Sequence, residues 1–331
     1  VCEAYAHLQP AQIAWGAGSV PGEVFNRRWR MKPGTIPANP FGETKDQVRM
    51  NPPRATEDLI EPSGPTDPEV PFIAVRLKDG RPLAVLANYA LHYVGGTDAG
   101  AISADYFGCF ANILERLLAS EIADVPFVAM MSNGASGNIN NINFREPGVS
   151  QQPYEQMNIV AGKVAQEVYR VYGKLTFSDH AVFAAEARDI TVGTRLPSEQ
   201  DIARAQTLVA SAESDVMKTS EEVYARETLL LKDYPETVII PLQVLRIGDA
   251  AIAAIPCEAF VEIGLHLKQE SPFALTFPIE LANGYYGYLP TAEQHALGGY
   301  ETWRARSSYL EVQAADKIQA ELTSMLQQIK T

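Results

Sequence analysis

Cysteine is scarce in this chain, and the three present, Cys2, Cys109 and Cys257, are widely scattered. Thiols at such separations form no disulfide framework, and none has the short paired spacing of a cysteine metal site. Basic charge is also short: 27 Lys and Arg stand against 40 Asp and Glu, a net charge of −13. That balance excludes sequence-independent binding to nucleic-acid phosphates or anionic lipid, which needs clustered cations. The one dense basic cluster, Asn26-Arg-Arg-Trp-Arg30, reads equally as a buried carboxylate or anion clamp and as a surface patch. No apolar run approaches the ~20 residues of a membrane-spanning helix. Residues 1–20 have neither the basic start nor the apolar centre of a signal peptide. Internal repeats, low-complexity tracts and a clear linker are missing too, so residues 1–331 are expected to form a single domain.

The chain does have 46% hydrophobic residues over 331 positions, enough for a large buried core. Residues 21–70 are rich in Pro, Gly and Asn, as in Met31-Lys-Pro-Gly-Thr-Ile-Pro-Ala-Asn-Pro-Phe-Gly42 and Asn51-Pro-Pro-Arg54. Proline at this density forbids a helix and most central strands, so this stretch reads as a long structured excursion over the surface. Beyond Pro71, Phe72–Leu77 and Pro82–Leu91 flank the turn Lys78-Asp-Gly-Arg81. They form a predicted hairpin whose second strand is apolar on both faces, as in the middle of a covered sheet. Helical spacing covers 106–119 and 154–171, and a buried strand is expected at Val125–Met131. Further strands are expected over 181–192, 237–247, 250–255 and 274–280, with helices over 198–231, 258–269 and 309–329. Pro197-Ser-Glu-Gln200 supplies a helix start. Interleaved strands and helices predict an α/β layered fold.

Four places carry the residue types that chemistry needs. His92 ends the buried strand and is followed by Tyr93-Val-Gly-Gly96, so it reads either as a satisfied core histidine or as a metal ligand or general base. Asp105, a short loop further on, is a helix cap candidate. Ser132-Asn-Gly-Ala-Ser-Gly-Asn-Ile-Asn-Asn-Ile-Asn143 reads either as a capped turn or as a set of donors around a polar substrate group. Glu258, after Ala254-Ile-Pro-Cys257, either favours a helix dipole or completes a mixed nitrogen and oxygen site for Zn²⁺. Glu262, one turn on, reads as a supporting or surface residue. The densest signal is Glu280-Leu-Ala-Asn-Gly-Tyr-Tyr-Gly-Tyr-Leu-Pro-Thr291, followed by His295-Ala-Leu-Gly-Gly-Tyr300-Glu301, a rigid loop presenting tyrosine hydroxyls.

In chain order, Asn88-Tyr-Ala-Leu-His92, Ser103-Ala-Asp105, Gly137-Asn138, Ile255-Pro-Cys-Glu258, Tyr288-Leu-Pro-Thr291 and Gly299-Tyr-Glu301 resemble the catalytic domain of neutral/alkaline, non-lysosomal ceramidases. The likeness covers essentially the whole chain and is nearest to the shorter bacterial ceramidase-like relatives. It implies a ceramidase-like α/β catalytic domain, with mixed β-sheets flanked by helices. It also implies a zinc-dependent amidohydrolase in which a metal-bound water attacks the amide of a small-molecule or lipid-like substrate. His92, Glu258 and Tyr288 resemble three of the zinc ligands, and Tyr300 resembles the tyrosine that contacts the reacting amide. Asn26-Arg27 is similar to the family's Asn-Arg-Ser motif, which makes Arg27 the expected stabiliser of oxyanion charge. A periplasmic or secreted location is implied in the same way.

The resemblance departs at two places. The family's other histidine ligand lies in an upstream His-x-His motif with no counterpart here, where the chain begins Val1-Cys-Glu-Ala. The expectation is therefore a catalytic domain lacking its N-terminal part and an incomplete metal site; His7, His180, His266 and His295 match no ligand position. The serine of the family's Gly-Asp/Asn-x-Ser-Pro motif falls on Asn140, which makes Asn140 a candidate catalytic position and weakens ceramide itself as substrate. Ser136 is out of register. The β-sandwich tail of larger ceramidases is also missing. Two other readings stay open: a non-catalytic homologue that binds a sugar or polyol, and a metal-dependent ester hydrolase.

Overall fold

A computed structural model describes residues 2–118, 127–214 and 216–330. Two four-stranded sheets organise it. In the first, Ala11–Ser19, Glu69–Leu77 and Pro82–Tyr89 run antiparallel in that order, and Val128–Asn133 lies parallel to Pro82–Tyr89 at the edge. A parallel neighbour requires a crossover, and helix Asp105–Leu118 supplies it. The second sheet repeats the scheme: Phe183–Gly193, Thr237–Ile247 and Ala250–Ile255 are antiparallel, and Leu275–Glu280 joins parallel through helix Val261–Glu270.

Three apolar clusters show how the layers stack. Phe72, Tyr89, Phe110 and Val164 join the first sheet to helices Asp105–Leu118 and Glu155–Tyr172. Val244, Ile255, Ile263 and Met325 join the second sheet to helices Val261–Glu270 and Ala314–Lys330. Between the sheets, Ile73 of the first meets Ala250, Ile252, Leu275 and Phe277 of the second. The order is thus helix, sheet, sheet, helix, the expected α/β layered fold, with mixed sheets sharing one inner seam. All three cysteines are free.

Several expectations need correction. The stretch 198–231 is two helices, Glu199–Ala210 and Ser220–Leu231, because Thr219 and Glu222 build a second capping box just as Ser198 and Asp201 build the first. The strand expected at Val125–Met131 runs Val128–Asn133; residues 125 and 126 lie outside the described set, as does position 119 of the helix expected over 106–119. It is an edge strand, and Val128 and Met130 are 49% and 44% exposed. The last helix begins at Ala314 and not at 309, since Leu310 is held in a bridge to Thr194. The region 21–70 is no mere surface excursion. Arg28–Met31, Val48–Met50 and Leu59–Pro62 form a three-stranded sheet, and Arg28, Trp29 and Val48 are buried. Nearly all its prolines sit in the connections, and Pro62 falls on an edge strand, where its missing N–H is tolerated.

Phe277 is fully buried on the seam between the sheets. Phe277→Ala leaves a cavity that neither sheet can close, and urea denaturation should show a loss of about 3–5 kcal/mol.

Candidate active site

The site begins where the strand Pro82–Tyr89 stops. Buried Leu91 receives the Tyr106 hydroxyl on its carbonyl at 2.9 Å, which fixes the backbone just before His92. The next loop is pinned by Asp105, whose two carboxylate oxygens accept the Val94 and Gly95 N–H groups at 2.8 Å each. Asp105 is therefore a clamp on the loop after His92.

His92 Nδ1 lies 2.7 Å from the Ser136 carbonyl oxygen. A carbonyl only accepts, so Nδ1 carries a proton, and Nε2 is the ring nitrogen turned to the site. Nε2 lies 3.3 Å from Glu258 Oε2. A ring lone pair and a carboxylate oxygen repel at that separation unless a cation lies between them. That cation is either a proton, making an imidazolium–carboxylate pair, or a metal ion.

Glu258 does not start a helix, as the sequence pattern implied. It lies in a short strand, Glu258–Ala259, paired in parallel with Tyr288–Leu289, and Glu258 is the direct partner of Tyr288. The Glu258 N–H donates to the Gly287 carbonyl at 2.9 Å, and the helix begins only at Val261. Gly287 has φ +78°, and a Cβ there would stand 2.5 Å from the Ser307 carbonyl oxygen, so only glycine fits. Gly137 is equally constrained, because a Cβ would meet the Glu258 carbonyl at 2.5 Å. The amide-rich loop and the Glu258 strand therefore pack backbone against backbone.

Burial pushes the Glu258 carboxyl up, but hydrogen bonds to His92, Tyr288 and Tyr285 outweigh it and hold the group below the ordinary carboxylate range. The Tyr285 hydroxyl donates to Oε1 at 3.2 Å. Burial keeps the Tyr288 phenol protonated well above its ordinary value, although Arg27 opposes this. Arg27 donates from Nη2 to the Tyr288 oxygen at 3.1 Å and to the Gly137 carbonyl at 2.8 Å, and from Nε to Glu301 at 2.9 Å. Glu301 is fully buried and also takes Arg28 Nη1 at 2.7 Å. Its carboxyl is pushed up by burial, but Arg28 and Arg27 prevail and hold it low. Within the basic cluster at 26–30, Arg27 and Arg28 therefore form a buried carboxylate clamp, while Arg30 stays partly exposed beside Glu61.

The structure brings together His92, Glu258, Tyr288 and Arg27. Tyr300 stands beside them, its ring edge-on to Tyr288 at 5.9 Å between centroids. Asn140 does not turn toward them: its amide donates to Asn51 at 2.8 Å and accepts the Ile142 N–H at 3.0 Å. Glu262 holds Asn138 at 2.8 Å and Gln294 at 3.0 Å, a supporting role. His92, Glu258 and Tyr288 offer one nitrogen and two oxygens, a donor set suited to Zn²⁺. Among the described residues no cluster of three His, Cys, Asp or Glu that could hold a metal ion assembles.

Two contributors were given no role in the sequence analysis, where Ser136 was set aside as out of register and Glu280 only opened the tyrosine loop. Ser136 is buried, with Oγ 3.2 Å from His92 Nδ1, and the same hydroxyl donates to Glu280 Oε1 at 2.6 Å. Glu280 is buried and also accepts Asn133 Nδ2 at 2.7 Å and the Ser136 N–H at 3.1 Å. Burial and the Glu258 charge push its carboxyl up to about 8 against those hydrogen bonds. Its signal was present, since Glu280 closes an apolar strand just as Glu258 comes directly after one.

No protein-family model and no curated protein matches the chain. Solved structures do match. A ceramidase solved in complex with C2 superposes with a TM-score of 0.65 at 16% identity, covering 100% of this chain and 55% of that one. A neutral ceramidase from Pseudomonas aeruginosa superposes with a TM-score of 0.59 at 18% identity, covering 98% and 53%. This chain spans about half the length of those proteins.

Removing the Glu301 charge leaves two buried guanidiniums without their shared counter-ion. Glu301→Gln should lower the unfolding free energy by about 3–5 kcal/mol in urea titrations. For Glu280 the folded-state pKa lies above the ordinary 4.5, so its contribution to stability is whole below that value and is lost as pH rises through about 8. The Tm difference between wild type and Glu280→Gln should therefore shift in favour of the variant across that window, and parallel curves would refute the assignment. Over nearly its whole length, this chain shares the fold of about half of a neutral ceramidase.

Proposed function

We propose that the chain is a ceramidase-type zinc hydrolase that cleaves an amide bond. One observation carries this reading: His92 Nε2, with its proton on the far nitrogen, faces the Glu258 carboxylate at 3.3 Å. His92, Glu258 and Tyr288 would hold the zinc. When bound, zinc supplies a Lewis acid for the amide carbonyl and brings the pKa of the attacking water to about 7, so no catalytic serine is required.

The remaining residues supply position and charge. Ser136 fixes the His92 tautomer through its carbonyl, so the free nitrogen always points at the site. Arg27, locked by Glu301, sets a permanent positive charge beside the Tyr288 oxygen, where it stabilises negative charge growing on the amide oxygen. The Tyr300 hydroxyl has no hydrogen-bond partner among the described residues and is free to orient the amide. Asn140, with its amide already engaged, shapes the loop that carries Ser136 and Gly137.

Metal analysis and hydrolysis of N-acyl amides by the full-length protein test the proposal. Expected are one zinc per chain, turnover abolished by a chelator, and rates lower by at least about a hundredfold in His92→Ala and Glu258→Ala, each with its zinc lost. Absence of zinc, or unchanged turnover in both variants, would overturn it.

A further inference from the structure

Beside the site opens a cleft of about 550 Å³, within the size range of small-molecule pockets. Tyr285 belongs to both, since it lines the cleft and its hydroxyl donates to Glu258. Tyr300 also belongs to both, because it lines the cleft and packs on Tyr288. The cleft is therefore the direct continuation of the place where the amide would react.

Its other walls come from distant segments and are held rigid. Tyr224, on the helix Ser220–Leu231, packs edge-on between Phe41 at 5.8 Å and Trp303 at 5.6 Å. Trp303 is itself fixed by donating Nε1 to Asp46 at 2.7 Å. Tyr234 packs on Tyr309 at 5.4 Å. A two-pronged ion pair, Arg306 to Glu227 at 2.8 and 2.9 Å, forms part of the lining. Among the described residues that line the cleft, only Val223 and Ala305 are aliphatic.

Tyr224 and Tyr309 are only 8% and 6% exposed, and a buried tyrosine hydroxyl ordinarily finds a partner. Among the described residues, the hydroxyls of Tyr224, Tyr234, Tyr300 and Tyr309 have none. They are not sealed orphans either, for none belongs to the fully enclosed unpaired atoms. Four phenol hydroxyls thus remain free to bond whatever enters the cleft, while their ring faces and edges offer flat apolar contact. An alkyl chain would cover these hydroxyls and the ion pair without replacing their hydrogen bonds with water.

We infer that this cleft holds a hydroxyl-bearing ring, a pyranose or a hydroxylated aromatic, attached to the amide that His92 and Glu258 face, in preference to a long alkyl chain. The inference rests on the hydrolase reading for the attachment and on the cleft alone for the ligand class. The flat face of such a ring meets the tyrosines, and its hydroxyls meet their oxygens and the Glu227–Arg306 pair.

Calorimetric titration of the zinc-loaded protein with N-acetylhexosamine, N-acetyltyramine and N-acetyldecylamine, which share one acetamide, tests it. At least one ring ligand should bind about tenfold more tightly than the decyl amide, and the stronger ring names the source. Tyr234→Phe and Tyr309→Phe, which keep the rings and remove only the hydroxyls, should each weaken that ring ligand about fivefold and leave the decyl amide unchanged. Tighter or equal binding of the decyl amide, no binding of either ring, or no effect of both substitutions would overturn the inference. Hydrolysis read in the same samples separates the two claims. Ring binding without turnover removes the hydrolase reading and keeps the ligand class; preferred cleavage of the decyl amide does the reverse.

Discussion

Two consecutive arginines share one carboxylate in the interior, and this shared charge ties distant parts of the chain together. Glu301 comes from the segment after the tyrosine loop, whereas Arg27 and Arg28 come from the proline-rich region near the start. Neighbouring residues of an extended strand ordinarily point to opposite faces. Here both guanidiniums reach the same carboxyl, one through Nε and one through Nη1. The bare Coulomb attraction is offset in large part by desolvation of three ions, so the clamp adds less to net stability than to the choice of a single arrangement. With Arg28 also held by Gln294 and the Gly298 carbonyl, Arg27 is left one orientation, toward Tyr288 and Gly137. The position of the charge beside the candidate site is a consequence of that clamp.

Two other carboxylates show how partners decide charge against the pull of burial. Glu280 ends the strand Leu275–Glu280, Glu258 lies in the short strand that follows Ala250–Ile255, and the Glu258 charge helps to push the Glu280 carboxyl up. Glu280 accepts hydrogen bonds from an amide, a hydroxyl and a backbone N–H, all neutral, and these do not overcome full burial. Glu258 faces an imidazole, two phenols and some solvent, and there the partners prevail. Environments that drive two acids apart in this way are a mark of functional sites. In this arrangement Glu280 supports Ser136, Ser136 orients His92, and Glu258 remains the charged member available to a cation.

Much of this was legible in the sequence, and the exceptions have physical reasons. His92 and Glu258 were legible as residues at the ends of apolar strands, because a β-strand's burial ends abruptly, and the tyrosine loop as a glycine-rich segment, whereas Tyr288 within that loop was singled out only by the family resemblance. The layered α/β pattern was legible from alternating periodicities. The proline-rich region was misread because proline density reports on connections, whereas burial is decided by the few residues between them, here Arg28, Trp29 and Val48. The start of the helix after Glu258 was misplaced because the pairing with Tyr288 is a contact between residues 30 positions apart, and no local pattern encodes it. Ser136 was set aside and Glu280 given no role for the same reason: their importance lies in a hydrogen-bond chain assembled from three separate strand ends.

The pairing of Glu258 with Tyr288 also explains why the site needs so little machinery of its own. A parallel bridge fixes two side chains on one face by backbone hydrogen bonds, before any side chain chooses a rotamer. Gly287 and Gly137 then let two more backbone segments close in to distances that a Cβ would forbid, at 2.5 Å in each case. Four segments at the site are thus set by main-chain contact, and a fifth, bearing His92, is set by the Ser136 carbonyl. Groups held in this way lose little freedom when a ligand arrives, which is the condition under which fixed charges and dipoles act most strongly on what is bound. The tyrosine wall extends the same logic outward, since rings wedged edge-on against one another present their hydroxyls at fixed positions. A ligand that matches those positions gains every hydrogen bond without ordering the protein, and one that lacks them displaces water for nothing in return.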